Sequence, residues 1–381
     1  MTPESDARME RWQNARAARL AALPWLHIDH SGPQPVRYLK DELLVLAEHE
    51  QAAREVLAGL GVAAGRITAE PAAFGYLRLT APGADIAAAS RELRARAGDA
   101  AGGPHHVFVS SPFEIGGPYG PPIGADSYPL AAGPAADAAV RVTVVDTGVW
   151  LDSPLPASWY EATSADYDET LAEESDTGHA NFITGIIMAN TDNARIRIVK
   201  VLDANGICTE ADLAAALAGL DDVDIVNLSL GGFSHSDVPP VLLGAALANL
   251  LENHDRAVVA AAGNEGSDGR PFWPAAFTET GLPFARQIVS VAAHDGSQLC
   301  SWSNRGPWVD LAAPGSDIVS TYVNHPEFPT GFACWSGTSF AAPFVVAALA
   351  ESYATSGTVE SAVEKVRAEA TESFSGCPGL P

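Results

Sequence analysis

The chain has 381 residues, 47% hydrophobic and 18% charged, a composition that excludes a wholly disordered polymer and leaves room for two domains. Acidic residues outnumber basic ones 47 to 22, for a formal charge of −25, which repels phosphate backbones and excludes nucleic acid as an expected partner. The imbalance is local: residues 1–140 carry 12 basic and 16 acidic side chains, and residues 141–381 carry 10 and 31.

Residues 1–34 read as an arginine-bearing helix and a loop, an N-terminal extension. Glu4, Asp6 and Glu10 stand among its first arginines and Pro24 breaks the apolar stretch from Leu20. That makes a poor secretory signal, so the cytoplasm is the expected compartment. No apolar run approaches the roughly 20 residues that cross a bilayer, so no membrane contact is expected. From residue 35 to 111 the pattern is regular: strands at 43–46, 66–70, 74–80 and 105–110 alternate with amphipathic helices at 48–60 and 84–97. The order β-α-β-β-α-β predicts a small α+β, ferredoxin-like domain. Residues 112–139 turn to Pro and Gly, as in Gly116-Gly117-Pro118 and Gly120-Pro121-Pro122, and predict an exposed linker.

From 140 to 381 short apolar runs alternate with alanine-rich helical segments. Strands are expected at 141–145, 196–202, 224–230, 257–262 and 288–292, with helices at 210–220, 241–253 and from 340. Runs apolar on both faces belong to a parallel sheet covered by helices, an α/β domain. Ligands of such sheets sit beyond the carboxyl ends of the strands, and polar residues cluster there: Asp146 after a valine run, Ser229 in Asn227-Leu-Ser-Leu-Gly-Gly, and Asn264 after Ala261-Ala262-Gly263. His179 opens one helical run and Ser339 another. Asp, His and Ser supply an orienting carboxylate, a general base and a nucleophile, and a serine hydroxyl needs such a base to become reactive. At a helix start the Ser339 N–H can stabilise an oxyanion, with the Asn264 amide as second donor. Pro343 lies where a helix first needs N–H donors and is tolerated.

Asp146-Thr-Gly, Gly178-His179, Ala262-Gly-Asn264 and Gly337-Thr-Ser339-Phe-Ala-Ala-Pro resemble the four signatures of the subtilisin-like serine peptidases, whose chain order is Asp, His, Ser. Ser303-Asn-Arg-Gly-Pro307 and Ala313-Pro-Gly315 extend the resemblance, which covers about residues 141–355. It implies a parallel sheet of about seven strands with helices on both faces, and endopeptidase activity on peptides or proteins; no cofactor or metal is expected for this chain. Asp146, His179 and Ser339 would be catalytic, Asn264 the oxyanion donor. Ser229, Leu230 and Gly231 would form one wall of the pocket for the residue before the scissile bond, pairing with the substrate strand, and Ala261, Ala262 and Gly263 the other. The 35–111 unit resembles the family's inhibitory propeptide, so the chain's own N-terminal domain would act as intramolecular inhibitor, released by cleavage in the linker.

Some features depart from the family. Ala180 and Asn181 replace the usual Gly-Thr after the histidine, and the stretch from Gly185 to Ile196 is short, which predicts no calcium ion there. Residues 161–176 contain Glu161, Asp166, Asp168, Glu169, Glu173, Glu174 and Asp176 and no base. This reads either as a solvated loop or as a preference, through Glu174 and Asp176, for substrates with Lys or Arg near the cleaved bond. Cys300 and Cys334 fall on segments flanking the site and are expected reduced, as are Cys208 and Cys377. His105-His106 is expected to be structural. Alternatives to a general endopeptidase are a maturation or activation peptidase dedicated to one partner and a catalytically silent peptide binder. An esterase is disfavoured, because Gly337-Thr-Ser-Phe-Ala341 lacks the second glycine of a G-x-S-x-G elbow.

Overall fold

A computed structural model describes residues 3–110, 120–128, 130, 133–169 and 176–381, with side chains except at 3–9, 11 and 13. The elements in chain order are α1 (Pro3–Ala21), β1 (Leu26–Asp29), β2 (Val36–Leu46), α2 (Glu50–Gly59), β3 (Thr68–Pro71), β4 (Tyr76–Thr80), α3 (Ile86–Ala97) and β5 (Gly102–Ser110). After them come β6 (Ile123–Ala125), β7 (Val140–Asp146), β8 (Tyr160–Glu161), α4 (His179–Asn190), β9 (Ala194–Lys200), β10 (Ile207–Thr209), α5 (Glu210–Ala218), β11 (Ile225–Leu228) and β12 (Leu230–Gly231). The remainder is α6 (Val241–Leu251), β13 (Ala257–Ala261), β14 (Ile288–His294), β15 (Leu311–Pro314), β16 (Ile318–Thr321), β17 (Phe332–Trp335), α7 (Thr338–Ser356), α8 (Val359–Glu369), β18 (Glu372–Phe374) and β19 (Cys377–Gly379).

In the N-terminal part β5, β2, β4 and β3 form an antiparallel sheet in that order. Leu43, Leu44, Leu79, Val56, Leu57 and Leu93 bury completely between it and α2 and α3. Helix α3 starts where Asp85 accepts the Ala88 N–H at 2.9 Å and stops at Gly98, whose φ of +90° suits glycine. Two expectations change here. Strand β2 begins at Val36, seven residues early, because its polar stretch is held by backbone pairing with β1. Helix α1, expected as an N-terminal extension, is packed on the fold: Leu20 lies against Val107, Val109 and Ile207, and Arg16 is buried.

The second part is built on a sheet ordered β18-β19-β15-β14-β13-β11-β7-β9-β8. Nine strands stand where about seven were expected. The strands from β19 to β8 run parallel and β18 pairs antiparallel at the edge. Short edge strands such as Tyr160–Glu161 carry no apolar run that could announce them. Alternate residues face opposite layers: Val142, Val144 and Val259 pack with α4, α7 and α8, while Val145, Val226 and Val258 pack with α5 and α6. Part of the expected linker is docked. Strand β6 pairs with β17, and Trp335 Nε1 donates to the Gly120 carbonyl at 3.2 Å. Residues 112–119, 129, 131 and 132 of that stretch lie outside the described residues. Among the described residues no helix is long and apolar enough to cross a membrane.

The two parts share one apolar core, in which Phe108 from β5 packs with Phe233, Leu242 and Phe272. At its centre the buried Glu210 carboxylate accepts from the Leu242 and Leu243 amides, at 2.7 and 3.1 Å, and from His106 Nδ1 at 3.1 Å. It thereby caps α6 and anchors β5. His106 Nε2 accepts the His235 N–H, and His105 bridges Glu42 and the Ala211 N–H, so both histidines are structural. Burial alone would raise the Glu210 carboxyl, but the hydrogen bond from His106 and the amide donors hold it below its ordinary value of 4.5. A depressed carboxyl contributes stability that is complete above that value and is lost as pH falls through the lower, folded one. Glu210→Gln should therefore lower the midpoint of thermal unfolding at pH 7, at a cost of about 1–3 kcal/mol, and flatten its decline below pH 4.5, as calorimetry across pH 3–7 would record.

Candidate active site

Asp146 ends β7 and His179 opens α4, and the buried pair meets at 2.6 Å between Asp146 Oδ1 and His179 Nδ1. A carboxylate acceptor assigns the proton to Nδ1, which leaves the Nε2 lone pair available. The Thr147 N–H also donates to Asp146 Oδ1 at 2.7 Å, and Thr147 Oγ1 accepts the Ala180 N–H, so the carboxylate and the helix start are tied together. Gly178 makes the tight entry to α4 at φ +91°; a Cβ there would meet Tyr322 at 2.6 Å. Trp335 and Phe340 wall the imidazole at ring distances of 5.7 and 5.4 Å.

Asn181, a departure from the family pattern, has a local use. Its side chain bonds both the N–H and the carbonyl of Trp150, at 2.8 and 2.9 Å, as a strand neighbour would. After α4 only residues 191–193 precede β9. Asn193 Oδ1 accepts the Ala139 N–H and the Asp192 carbonyl accepts the Ala135 N–H.

Ser339 is the second residue of α7. Pro343 four residues on has no N–H to give the Ser339 carbonyl, and the Ser229 hydroxyl donates to that carbonyl instead, at 2.8 Å. In return Ser339 Oγ donates to the Ser229 carbonyl at 3.1 Å. The nucleophile candidate is thus turned to Ser229 and not to the imidazole. Among the described residues His179 Nε2 has no hydrogen-bond partner. Asn264 Oδ1 accepts the Thr338 N–H at 2.9 Å, which orients the amide and sets its Nδ2 on the Gly337 side.

The two candidate walls are placed differently. Leu230 and Gly231 form β12, which pairs antiparallel with β5, Leu230 opposite Ser110 and Gly231 opposite Val109. On its other side β5 pairs with β10 from Val107 to Val109, and the Ser110 N–H bonds the Gly206 carbonyl at 2.8 Å. Ala261, Ala262 and Gly263 are held from behind by Asn304, whose Nδ2 donates to the Ala262 carbonyl and whose Oδ1 accepts from Glu265 and Ser267 amides. Gly263, at φ +93°, has no room for a Cβ, which would lie 2.4 Å from Asn304 Nδ2. The role of Asn304 was hidden in the sequence by its distance from the loop it holds.

The acidic approach is not simply a solvated loop. Asp166 accepts the Thr163 and Lys200 amides, Asp168 pairs with Lys200 at 3.0 Å, and Asp176 is buried against Arg16 at 2.7 Å. Burial raises the Asp168 carboxyl even so. Glu173 and Glu174 lie outside the described residues. The four cysteines are free thiols, with burial pushing Cys300 up to about 12 and Cys334 and Cys208 upward as well, so none is poised to react at neutral pH.

Comparison with known proteins gives the family. The sequence profile of the Subtilase family matches residues 137–373. The chain is 34% identical over 253 residues to the thermophilic serine proteinase of Bacillus sp. (strain AK1), covering 62% of this chain and 57% of that protein. It is 32% identical over 226 residues to thermitase of Thermoactinomyces vulgaris, covering 55% of this chain and 74% of that one. The crystal structure of a lanthipeptide protease superposes with a TM-score of 0.50 at 21% identity, over 61% of this chain and 80% of that one, a likeness of fold. The chain belongs to the subtilase family. It spans little more than half the length of the AK1 proteinase.

Asn304→Ala should leave the Ala262 carbonyl and two loop amides unpaired in a buried place. A loss of about 2–4 kcal/mol is expected by chemical denaturation, with Asn304→Asp intermediate.

Proposed function

We propose that the chain is a serine endopeptidase in which Asp146, His179 and Ser339 act in sequence and Asn264 binds the oxyanion. The observation that carries this reading is the buried 2.6 Å bond between Asp146 and His179 Nδ1 beside the start of α7. With Nδ1 protonated, Nε2 is the base. Rotation about the Ser339 Cα–Cβ bond carries the hydroxyl from the Ser229 carbonyl to Nε2, a tightening expected when substrate arrives. Oγ attacks the peptide carbonyl while its proton passes to Nε2. The new oxyanion is bound by the Ser339 N–H and Asn264 Nδ2, at the positive end of the helix dipole. Collapse expels the amine, which takes the proton from His179. Water then repeats the cycle on the acyl-enzyme. The Asp146 carboxylate keeps the tautomer and stabilises the imidazolium.

Substrate is an extended peptide. It would pair with Leu230–Gly231 on one side and the 206–209 strand on the other, its side chain before the scissile bond between Ser229-Leu230-Gly231 and Ala261-Ala262-Gly263. Residues 107–110 follow that path, which supports the reading of the 35–111 unit, a ferredoxin-like domain, as an intramolecular inhibitor separated from the catalytic domain at 140–381 by the 112–139 stretch.

Mass spectrometry of the purified chain beside its Ser339→Ala form, with labelling by a fluorophosphonate probe, tests the proposal. Wild type should be labelled at Ser339 and should show cleavage beyond residue 110. Ser339→Ala should stay full length and lose about six orders of magnitude in turnover, a scale carried over from subtilisin itself. Asn264→Ala should lose about 10²–10³-fold in kcat, likewise a subtilisin value. Peptide binding without labelling or turnover would make the chain a silent relative.

A further inference from the structure

The cleft holds a charge pair that the chemistry does not use. One turn before Leu20, Arg16 of α1 reaches over β5, and its Nη2 lies 2.7 Å from Asp176 Oδ2 and 3.3 Å from both Ser110 Oγ and the Asn205 carbonyl. Ser110 Oγ donates to the same Asp176 oxygen at 2.5 Å. The Arg16 and Asp176 side chains are 4% and 2% exposed. Asp176 belongs to the catalytic part: its carbonyl accepts the His179 N–H at 3.0 Å. The floor beneath its carboxylate is Gly206, at φ +68°, where a Cβ would lie 1.6 Å from Oδ2. The carboxylate is therefore walled in beside the cleft, and water is a poor substitute for its partners.

The register gives this site a meaning. Ser110 faces Leu230, so one step further along a strand faces Ser229, whose carbonyl accepts Ser339 Oγ. In a substrate strand laid in the same register, the residue facing Ser229 contributes the scissile carbonyl. The residue before it takes the place of Ser110, beside Asp176. Ser110 is short and neutral, so the cation is supplied from outside the strand, by Arg16.

We propose that Asp176 selects substrates with Lys or Arg as the second residue before the cleaved bond, and that Arg16 is the chain's internal substitute for that side chain. This rests on the peptidase reading above. When the N-terminal segment leaves, Asp176 loses both partners, and a basic substrate residue restores a charge-assisted bond that a neutral one leaves unmade. Asp176 thus determines specificity without touching the reacting atoms.

Two measurements on the full chain test it. The first needs no catalysis. In the Ser339→Ala background, Arg16→Ala should lower the thermal midpoint by several degrees. Adding Ser110→Lys should recover most of that loss, and Ser110→Met, of similar length without charge, should not. With Asp176→Asn also present, Lys and Met should be equivalent. If Arg16→Ala does not fold, recovery of folded chain by Lys and not by Met reads the same way. Lys no better than Met, or better whatever stands at 176, overturns the proposal. The second measurement uses the self-processed wild-type protein and peptides differing only in Lys or norleucine at that position. Lys should be favoured about 10–100-fold in kcat/KM, carried mainly by KM, with the preference abolished by Asp176→Asn. Equal rates overturn the proposal. Absence of turnover on every peptide would sink the peptidase reading, while the first measurement would still decide whether Asp176 takes a cation from the strand.

Discussion

Backbone pairing of residues 107–110 organises this molecule. Strands β10 and β12 are three and two residues long, and each presents unpaired amides and carbonyls along a cleft edge. Strand β5 satisfies both edges at once, and because an antiparallel register fixes which side chain faces which neighbour, it also dictates where Phe108 and Ser110 fall. Phe108 joins the shared apolar core and Ser110 meets Asp176. The interlock at Glu210 then holds the sheet behind this strand against α5 and α6.

The start of α7 shows the same economy on a smaller scale. A helix leaves its first amides unpaired, and here Asn264 takes the one at Thr338. A proline inside a helix leaves a carbonyl unpaired, and Ser229 takes the one at Ser339. Both partners come from strand ends, so the positions of Ser339 and of the two walls are mutually fixed. Gly178 and Gly263 serve where a turn must pass with no Cβ beside Tyr322 and Asn304.

Much of this was legible in the sequence because it rests on local pattern. Valine and alanine runs apolar on both faces marked β7, β11, β13 and β14 as inner parallel strands, and short motifs marked Asp146, His179, Asn264 and Ser339 at element boundaries. What stayed hidden depends on partners far along the chain. Arg16 meets a carboxylate 160 residues away, so nothing near it distinguishes a buried anchor from a solvated helix residue. The Pro/Gly stretch reads as a linker, yet Gly120 offers its carbonyl to Trp335. Asp166 and Asp168 look like surface charge until the Lys200 backbone and ammonium are placed beside them. Strand β2 begins early because main-chain pairing, which is blind to side-chain polarity, extends it.

The grip on the cleft is two-sided. Helix α1 clasps the inserted strand from above, and the β2–β5 sheet stiffens it from behind, both upstream of residue 110. A scission downstream would sever one covalent tether and leave every one of these holds in place. On the inhibitor reading, the onset of activity is then timed by how slowly the severed piece lets go, so that latency is a property of an off-rate and the cut itself only starts the clock.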